Sequence, residues 1–265
     1  MQKPIKLRLG KSLRFGLLVV IVCFQWSFST SFSVSPLYLP VPGAVANDAP
    51  PDADPDPVHT GNFHKMAWSL AKMAVYDSLG LEDLGLSRSV FQMALRGMEK
   101  LQHTGLVKTS ILSIVDFSKP SSQKRLFIID LESYQLLFNT LVAHGMASGK
   151  EMASIFSNKS GSHKSSLGFY VTGQTYQGSN GYSLKLSGVE KGINDYAMRR
   201  AIVMHGADYV SESWVDMQGY IGRSQGCPAV PPELSRPIID EIKDGSCLFI
   251  YHPNSSYRTR SRLIR

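Results

Sequence analysis

Cysteine is scarce in this chain, with three in 265 residues, and one of them, Cys23, falls in an apolar stretch near the N-terminus. No two ligand-type residues follow the C-x-x-C or H-x-x-x-H spacing of a compact metal site, which argues against a structural zinc module. The longest apolar run, residues 15–24, is stopped by Gln25, well short of the ~20 residues that span a bilayer as a helix. Continued through Phe32 it makes only a weak, serine-interrupted span. Acidic residues are absent from residues 1–46, which hold Lys3, Lys6, Arg8, Lys11 and Arg14. The rest of the chain carries 23 basic against 21 acidic residues, so the formal charge of +7 belongs mostly to the N-terminus. No basic stripe interleaved with aromatics remains, and nucleic acid is excluded as a partner. There is no internal repeat and no phosphate-cradling glycine motif.

What is present divides the chain into five parts. Residues 1–46 read as a signal peptide or N-terminal anchor: basic to Arg14, then apolar, with Ala44-Val45-Ala46 in the small-x-small form of a cleavage site. This predicts export to the periplasm or cell envelope, and an uncleaved segment would tether the chain to a membrane. Val22 before Cys23 argues against lipidation. Residues 47–61, rich in Asp and Pro, form a linker that cannot bury apolar area.

Residues 62–106 predict a helical hairpin that packs on the domain C-terminal to it. Phe63, Met66, Ala67 and Leu70 keep helical period in its first arm. Val90, Phe91, Ala94, Leu95, Met98 and Leu101 do so in its second, with Ser87 or Ser89 as cap. Residues 107–254 turn to short β-branched runs at 111–117, 126–131, 136–143, 168–176, 182–186 and 247–251, the last expected to close the sheet. Helices are expected at 192–199 and 233–243. The fold predicted is β-rich, sandwich or barrel-like, with the helical hairpin and peripheral helices around it. Residues 255–265 form a basic tail, read as solvated and frayed, with contact to anionic glycan or lipid as the alternative.

The chemistry gathers in residues 201–232. Ala201-Ile-Val-Met204 ends in His205-Gly206, and eighteen residues separate His205 from Ser224 in the block Arg223-Ser-Gln-Gly-Cys-Pro228. Gly226 allows a backbone conformation that other residues resist, and Pro228 fixes the far side. The loop is long enough to return the imidazole to the thiol, and a neighbouring base makes a thiol nucleophilic. Cys227 and His205 are therefore the expected catalytic pair. A Cys227–Cys247 disulfide is the competing reading, although Cys247 sits in an apolar run where a lone Cys acts as a small hydrophobe. Trp214 and Tyr220 in loop 210–220 are candidate lid residues.

His205-Gly206, the spacer and Ser224-Gln225-Gly226-Cys227 together resemble the His-Gly and Ser/Thr-His-Gly-Cys signature of the L,D-transpeptidases, the YkuD-like enzymes. The runs IVDFSKPSSQKRLFIIDL, LLFNTLVAHG, SLGFYVTGQTY and GYSLKLSGVEKGIND resemble the subgroup of murein L,D-transpeptidase catalytic domains, and the likeness covers residues 112–253. Gln225 departs from the family's His, and Ala229 from an Arg carried by many members. The resemblance implies a β-rich catalytic domain over 107–254 without cofactor or metal. It implies Cys227 as nucleophile and His205 as base, the latter oriented by the Gly206 carbonyl. The backbone N–H groups around Gly226 and Cys227 are implied as oxyanion donors, with Ser224, Gln225, Arg223 and His144 lining the site. The implied partners are peptidoglycan stem peptides, and carbapenems are expected to acylate the enzyme. Ser165 and Tyr170 fall in the region that faces substrate in such folds. Four alternatives stay open: an L,D-carboxypeptidase, another wall thiol peptidase oriented by Asp195 or Asp208, a zinc enzyme using His205, Cys227 and one of His144, His163 or His252, and a non-catalytic wall-binding protein.

Overall fold

The computed structural model describes residues 71–265. The expected export segment 1–46, the expected linker 47–61 and the start of the first expected helix, with Phe63, Met66, Ala67 and Leu70, lie outside the described residues. The remainder of that helix, α1 (residues 71–78), buries Val75 and Tyr76, and the Tyr76 hydroxyl donates to the Leu86 carbonyl at 2.6 Å to brace the adjoining turn. Helix α2 (Arg88–His103) starts at Ser87, whose Oγ accepts from the Val90 N–H at 3.4 Å. Its inward face carries the six residues read from the 3.6-residue period. Gly97 lies on that face as well, where the Phe169 ring fills the space a Cβ would need. The helix can approach the sheet this closely only with glycine there.

The sheet has eight strands: β1 (Ile111–Asp116), β2 (Leu126–Asp130), β3 (Gln135–Thr140), β4 (Gly168–Gly178), β5 (Gly181–Gly188), β6 (Val203–Gly206), β7 (Ala229–Val230) and β8 (Cys247–Tyr251). Their spatial order is β3-β2-β1-β8-β4-β5-β6-β7. The β1–β8 and β6–β7 pairs run parallel, the others antiparallel. Strand β8 does not close the sheet, as the sequence suggested; it lies inside, between β1 and β4. Every residue of β1 and β8 is buried, the signature of strands covered on both faces. The two ends of the sheet meet at a bridge between Ala143 and Ala229, where the Ala143 N–H donates to the Ala229 carbonyl at 2.8 Å. The molecule is mostly β, and its sheet curls into a nearly closed barrel.

Two further expectations are corrected. The segment 192–199 is not a helix but part of a run of turns over 191–201. Asn194 stitches these turns to the sheet, accepting from the Glu190 N–H at 2.9 Å and donating to the Phe169 carbonyl at 2.8 Å. The tail is not frayed. Past α4 (Pro232–Ile242) and β8, helix α5 (Ser255–Arg260) brings Tyr257 and Ser261 onto Glu190, both hydroxyls donating to its carboxylate. Tyr257, Ser261 and Ile264 are buried, and Arg258, Arg260, Arg262 and Arg265 stay exposed. No helix among the described residues is long and apolar enough to cross a membrane.

Candidate active site

Two neighbouring segments build the site: the end of β6 and the turn that enters β7. In their parallel pairing His205 lies opposite Ala229 and Gly206 opposite Val230. Cys227 stands two residues before the partner of His205, so this register brings thiol and imidazole into one cleft of about 530 Å³. The chain between them is pinned by a small second core of Leu141, Ala143, Val210, Ile221 and Ala229, with Val215 and Tyr209 packed against it. The segment expected as a lid loop contains a helix, α3 (Glu212–Gln218). Trp214 and Tyr220 are not on the cleft wall; the aromatic that lines it is Tyr209.

The turn before β7 is held by Ser224. Its Oγ accepts from the Gly226 N–H at 3.0 Å and donates to the Cys227 carbonyl at 2.6 Å. Gly226 has φ +125°, and a Cβ there would meet the Lys164 carbonyl at 2.9 Å and Ile202 Cδ1 at 3.0 Å. Backbone bonds tie the same turn to 144–146: the Ser224 N–H donates to the His144 carbonyl at 2.9 Å, and the Met146 N–H to the Ser224 carbonyl at 2.7 Å. Ser165 adds a third tie, accepting from the Gly145 N–H at 3.0 Å and donating to the Gly226 carbonyl at 3.2 Å. Tyr170, by contrast, is buried, its hydroxyl donating to the Ser166 carbonyl.

His205 Nδ1 lies 2.9 Å from the Gly206 carbonyl. A carbonyl can only accept, so Nδ1 carries the hydrogen and Nε2 keeps its lone pair. Burial lowers the imidazole pKa and raises that of the Cys227 thiol, the latter opposed by the Val203 N–H and the Arg200 charge. Cys227 is 9% exposed, and its thiol donates to the Ala201 carbonyl at 3.7 Å. Thiol and imidazole thus share the cleft with burial favouring the neutral form of each. Both described cysteines are free, and Cys247 is wholly buried in β8 with its thiol pushed far up by burial.

Arg223, Ser224 and Gln225 line the cleft, and Arg223 Nη1 donates to the Gly149 carbonyl at 3.2 Å. His144 does not line it, a correction to the sequence reading. Its side chain is wholly buried, Nδ1 accepting from Arg125 Nη2 at 2.8 Å and Nε2 facing the Gly149 carbonyl at 3.3 Å. Arg125 is itself wholly buried and needs every acceptor it meets, the Val142 and Lys119 carbonyls included. Of the two oxyanion candidates, the Gly226 N–H is engaged by Ser224 Oγ. Asp195 accepts from Asn158 and from the Gly192 N–H, Asp208 is exposed, and the group that orients His205 is a carbonyl. No three His, Cys, Asp or Glu side chains gather as a metal set among the described residues. Arg200 and Tyr209 line the cleft without having been singled out, since nothing in their local pattern distinguishes them, and His163, named only as a candidate zinc ligand, lines it as well. A larger hollow of about 720 Å³ lies between α2, residues 189–193 and the tail, but neither a thiol nor an imidazole lines it.

The family model for the L,D-transpeptidase catalytic domain matches residues 82–251. No curated protein matches the chain. Among solved structures it is similar to an L,D-transpeptidase from Mycobacterium smegmatis at 12% identity and TM-score 0.34, covering 54% of this chain and 59% of that one. It is similar to L,D-transpeptidase 3 from Mycobacterium tuberculosis at 9% and 0.35, covering 54% and 62%. The helical cell shape determining protein Pgp2 from Campylobacter jejuni gives 10% and 0.37, covering 64% and 58%. The chain thus spans about three fifths of the length of these proteins.

Proposed function

Because the chain belongs to the family of L,D-transpeptidase catalytic domains, we propose that it is an exported cysteine acyltransferase acting on peptidoglycan stem peptides. His205 Nε2 takes the proton of Cys227 Sγ. The thiolate attacks the carbonyl joining an L-configured centre to the terminal D-alanine of a tetrapeptide stem. His205 returns the proton to the departing amine, D-alanine leaves, and a thioester remains. An amine from a second stem resolves it into a cross-link. With the Gly226 N–H engaged by Ser224, the Cys227 N–H is the oxyanion donor that this turn supplies. Arg223 meets a stem carboxylate as a planar fork.

The observation that supports this reading best is the shared cleft of Cys227 and His205, with Nδ1 on the Gly206 carbonyl. A second reading, in which water resolves the thioester and the enzyme is an L,D-carboxypeptidase, is favoured by the lack of Trp214 and Tyr220 on the cleft wall. Export to the cell envelope rests on residues 1–46, and retention of that segment would tether the enzyme to a membrane.

Intact-protein mass spectrometry after incubation with a disaccharide-tetrapeptide tests the proposal. The expected result is a gain equal to the substrate minus D-alanine, lost in Cys227→Ala and kept in Cys247→Ala. A gain that survives Cys227→Ala, or none in any variant, rejects it. The released products separate cross-linking from hydrolysis.

A further inference from the structure

Arg200 is the charged residue on the cleft wall for which the chemistry above has no use. It is the last residue but one in the run of turns over 191–201, just before the chain enters β6. Its half-buried guanidinium donates from Nη1 to the Ser157 carbonyl at 2.8 Å and to Ser166 Oγ at 2.6 Å. From Nη2 it donates to the Lys164 carbonyl at 2.6 Å and to Ser162 Oγ at 3.3 Å. Every one of these partners is neutral. The ion pairs among the described residues are Arg88–Asp77, His103–Glu99 and Lys243–Asp240, so no carboxylate balances this charge. The same Nη2 lies 3.3 Å from where a side chain on Gly226 would begin, next to the nucleophile in sequence. A cation held rigidly by neutral acceptors, half out of water and facing a thiol, lowers the free energy of any anion formed there.

We propose that Arg200 is a positioning residue for the reaction, clamped by residues 157–166 so that its charge favours the Cys227 thiolate. The titratable and charged groups that face Cys227 are His205 on β6, Tyr209 just beyond it, Arg223 on the nucleophile's own loop, His163 on the opposite loop and Arg200 itself. Burial and the nearby thiolate push Tyr209 up to about 12, which leaves it neutral near neutral pH. Arg200 is the cation whose charge pulls the Cys227 thiol down against its burial, and Arg223 is not among the groups that do so. The proposal makes the nucleophile's acidity depend on a residue outside the Cys-turn and the His-strand.

The inference rests on Cys227 being the reacting thiol, but its test needs no peptide. The pH dependence of Cys227 alkylation by iodoacetamide, followed by intact mass in a Cys23→Ala/Cys247→Ala background, reads the thiol directly. Failed turnover of a stem peptide and an unmoved alkylation midpoint are therefore separate results. In Arg200→Gln the midpoint is expected to move up by about 1 pH unit, slowing alkylation at pH 7 about tenfold. Arg200→Lys keeps the charge without the fork, and its midpoint should stay within a few tenths of a unit of the parent. Ser162→Ala and Ser166→Ala loosen the same loop without changing charge and should leave the midpoint in place. A parental midpoint in Arg200→Gln overturns the proposal. So does a full upward move in Arg200→Lys, and so does an equal move in the serine variants, which would make the role structural. If Arg200→Gln fails to fold, Arg200→Met, which removes the charge and keeps the stem, takes its place: the same upward move is expected, and a parental midpoint overturns the proposal.

Discussion

His144 and Arg125 meet in a fully buried contact in which a guanidinium, a donor only, fixes Nδ1 of the imidazole as acceptor. Burial and the Arg125 charge push the His144 pKa down to about 3. In the unfolded chain the same group titrates near about 6.5. Between these values the unfolded state binds the extra proton, so stability is lost as pH falls, by at most ~1.4 kcal/mol per pH unit for one group. Calorimetry between pH 7 and 4 should show the melting temperature falling, and His144→Gln, which keeps an acceptor for Arg125, should flatten that slope. Identical acid slopes in the two proteins would exclude the linkage. Residue types told the two cases apart poorly. Cys227, His205 and Gly226 stand out as candidates because a thiol between Gly and Pro, a His after an apolar run, and a glycine in a tight turn each carry a chemical signature. His144 had the same apparent signature, a His-Gly after a strand, yet a buried arginine claims its ring.

Among the elements, the C-terminal tail departs furthest from its sequence. Its arginines read as a solvated end, and they are solvated. What docks it is spaced between them: Tyr257, Ser261 and Ile264, the first two reaching a carboxylate about seventy residues upstream. Glu190 is buried without a cation, and burial raises its pKa despite donations from Tyr257, Ser261 and the Phe169 N–H. Removing one donor from a buried acceptor costs about 1–3 kcal/mol. Tyr257→Phe is therefore expected to lower urea stability by that order, whereas Thr259→Ala, on the exposed side of the same helix, should stay within about 0.5 kcal/mol. Equal effects would mean that the tail is not anchored through Glu190. Helix α2 shows the opposite case: its cap and periodic face were readable because both are local, and only the close approach at Gly97 depended on Phe169.

Across the molecule, burial is uneven. Strands β1 and β8 are buried at every residue, while α3 buries none, being held through Val215 on the small second core. Native-state hydrogen exchange should find β1 and β8 amides near the global limit and α3 amides exchanging orders of magnitude faster. Protection of α3 equal to that of β8 would contradict this. The amino-acid sequence determined the β-rich class, five of the eight strands nearly to their ends, the two helices α2 and α4, and which residues are proposed as the reacting pair, because alternation, period and reactive side chains are properties of neighbouring residues. Tertiary structure alone decided the rest: the parallel pairing of β8 with β1 and of β7 with β6, the bridge at Ala143–Ala229, the burial of His144 and the arrival of Arg200 beside Gly226. Each is a meeting between residues far apart in the chain, set by which apolar faces can be covered together and which buried polar groups find partners, and no local pattern encodes it.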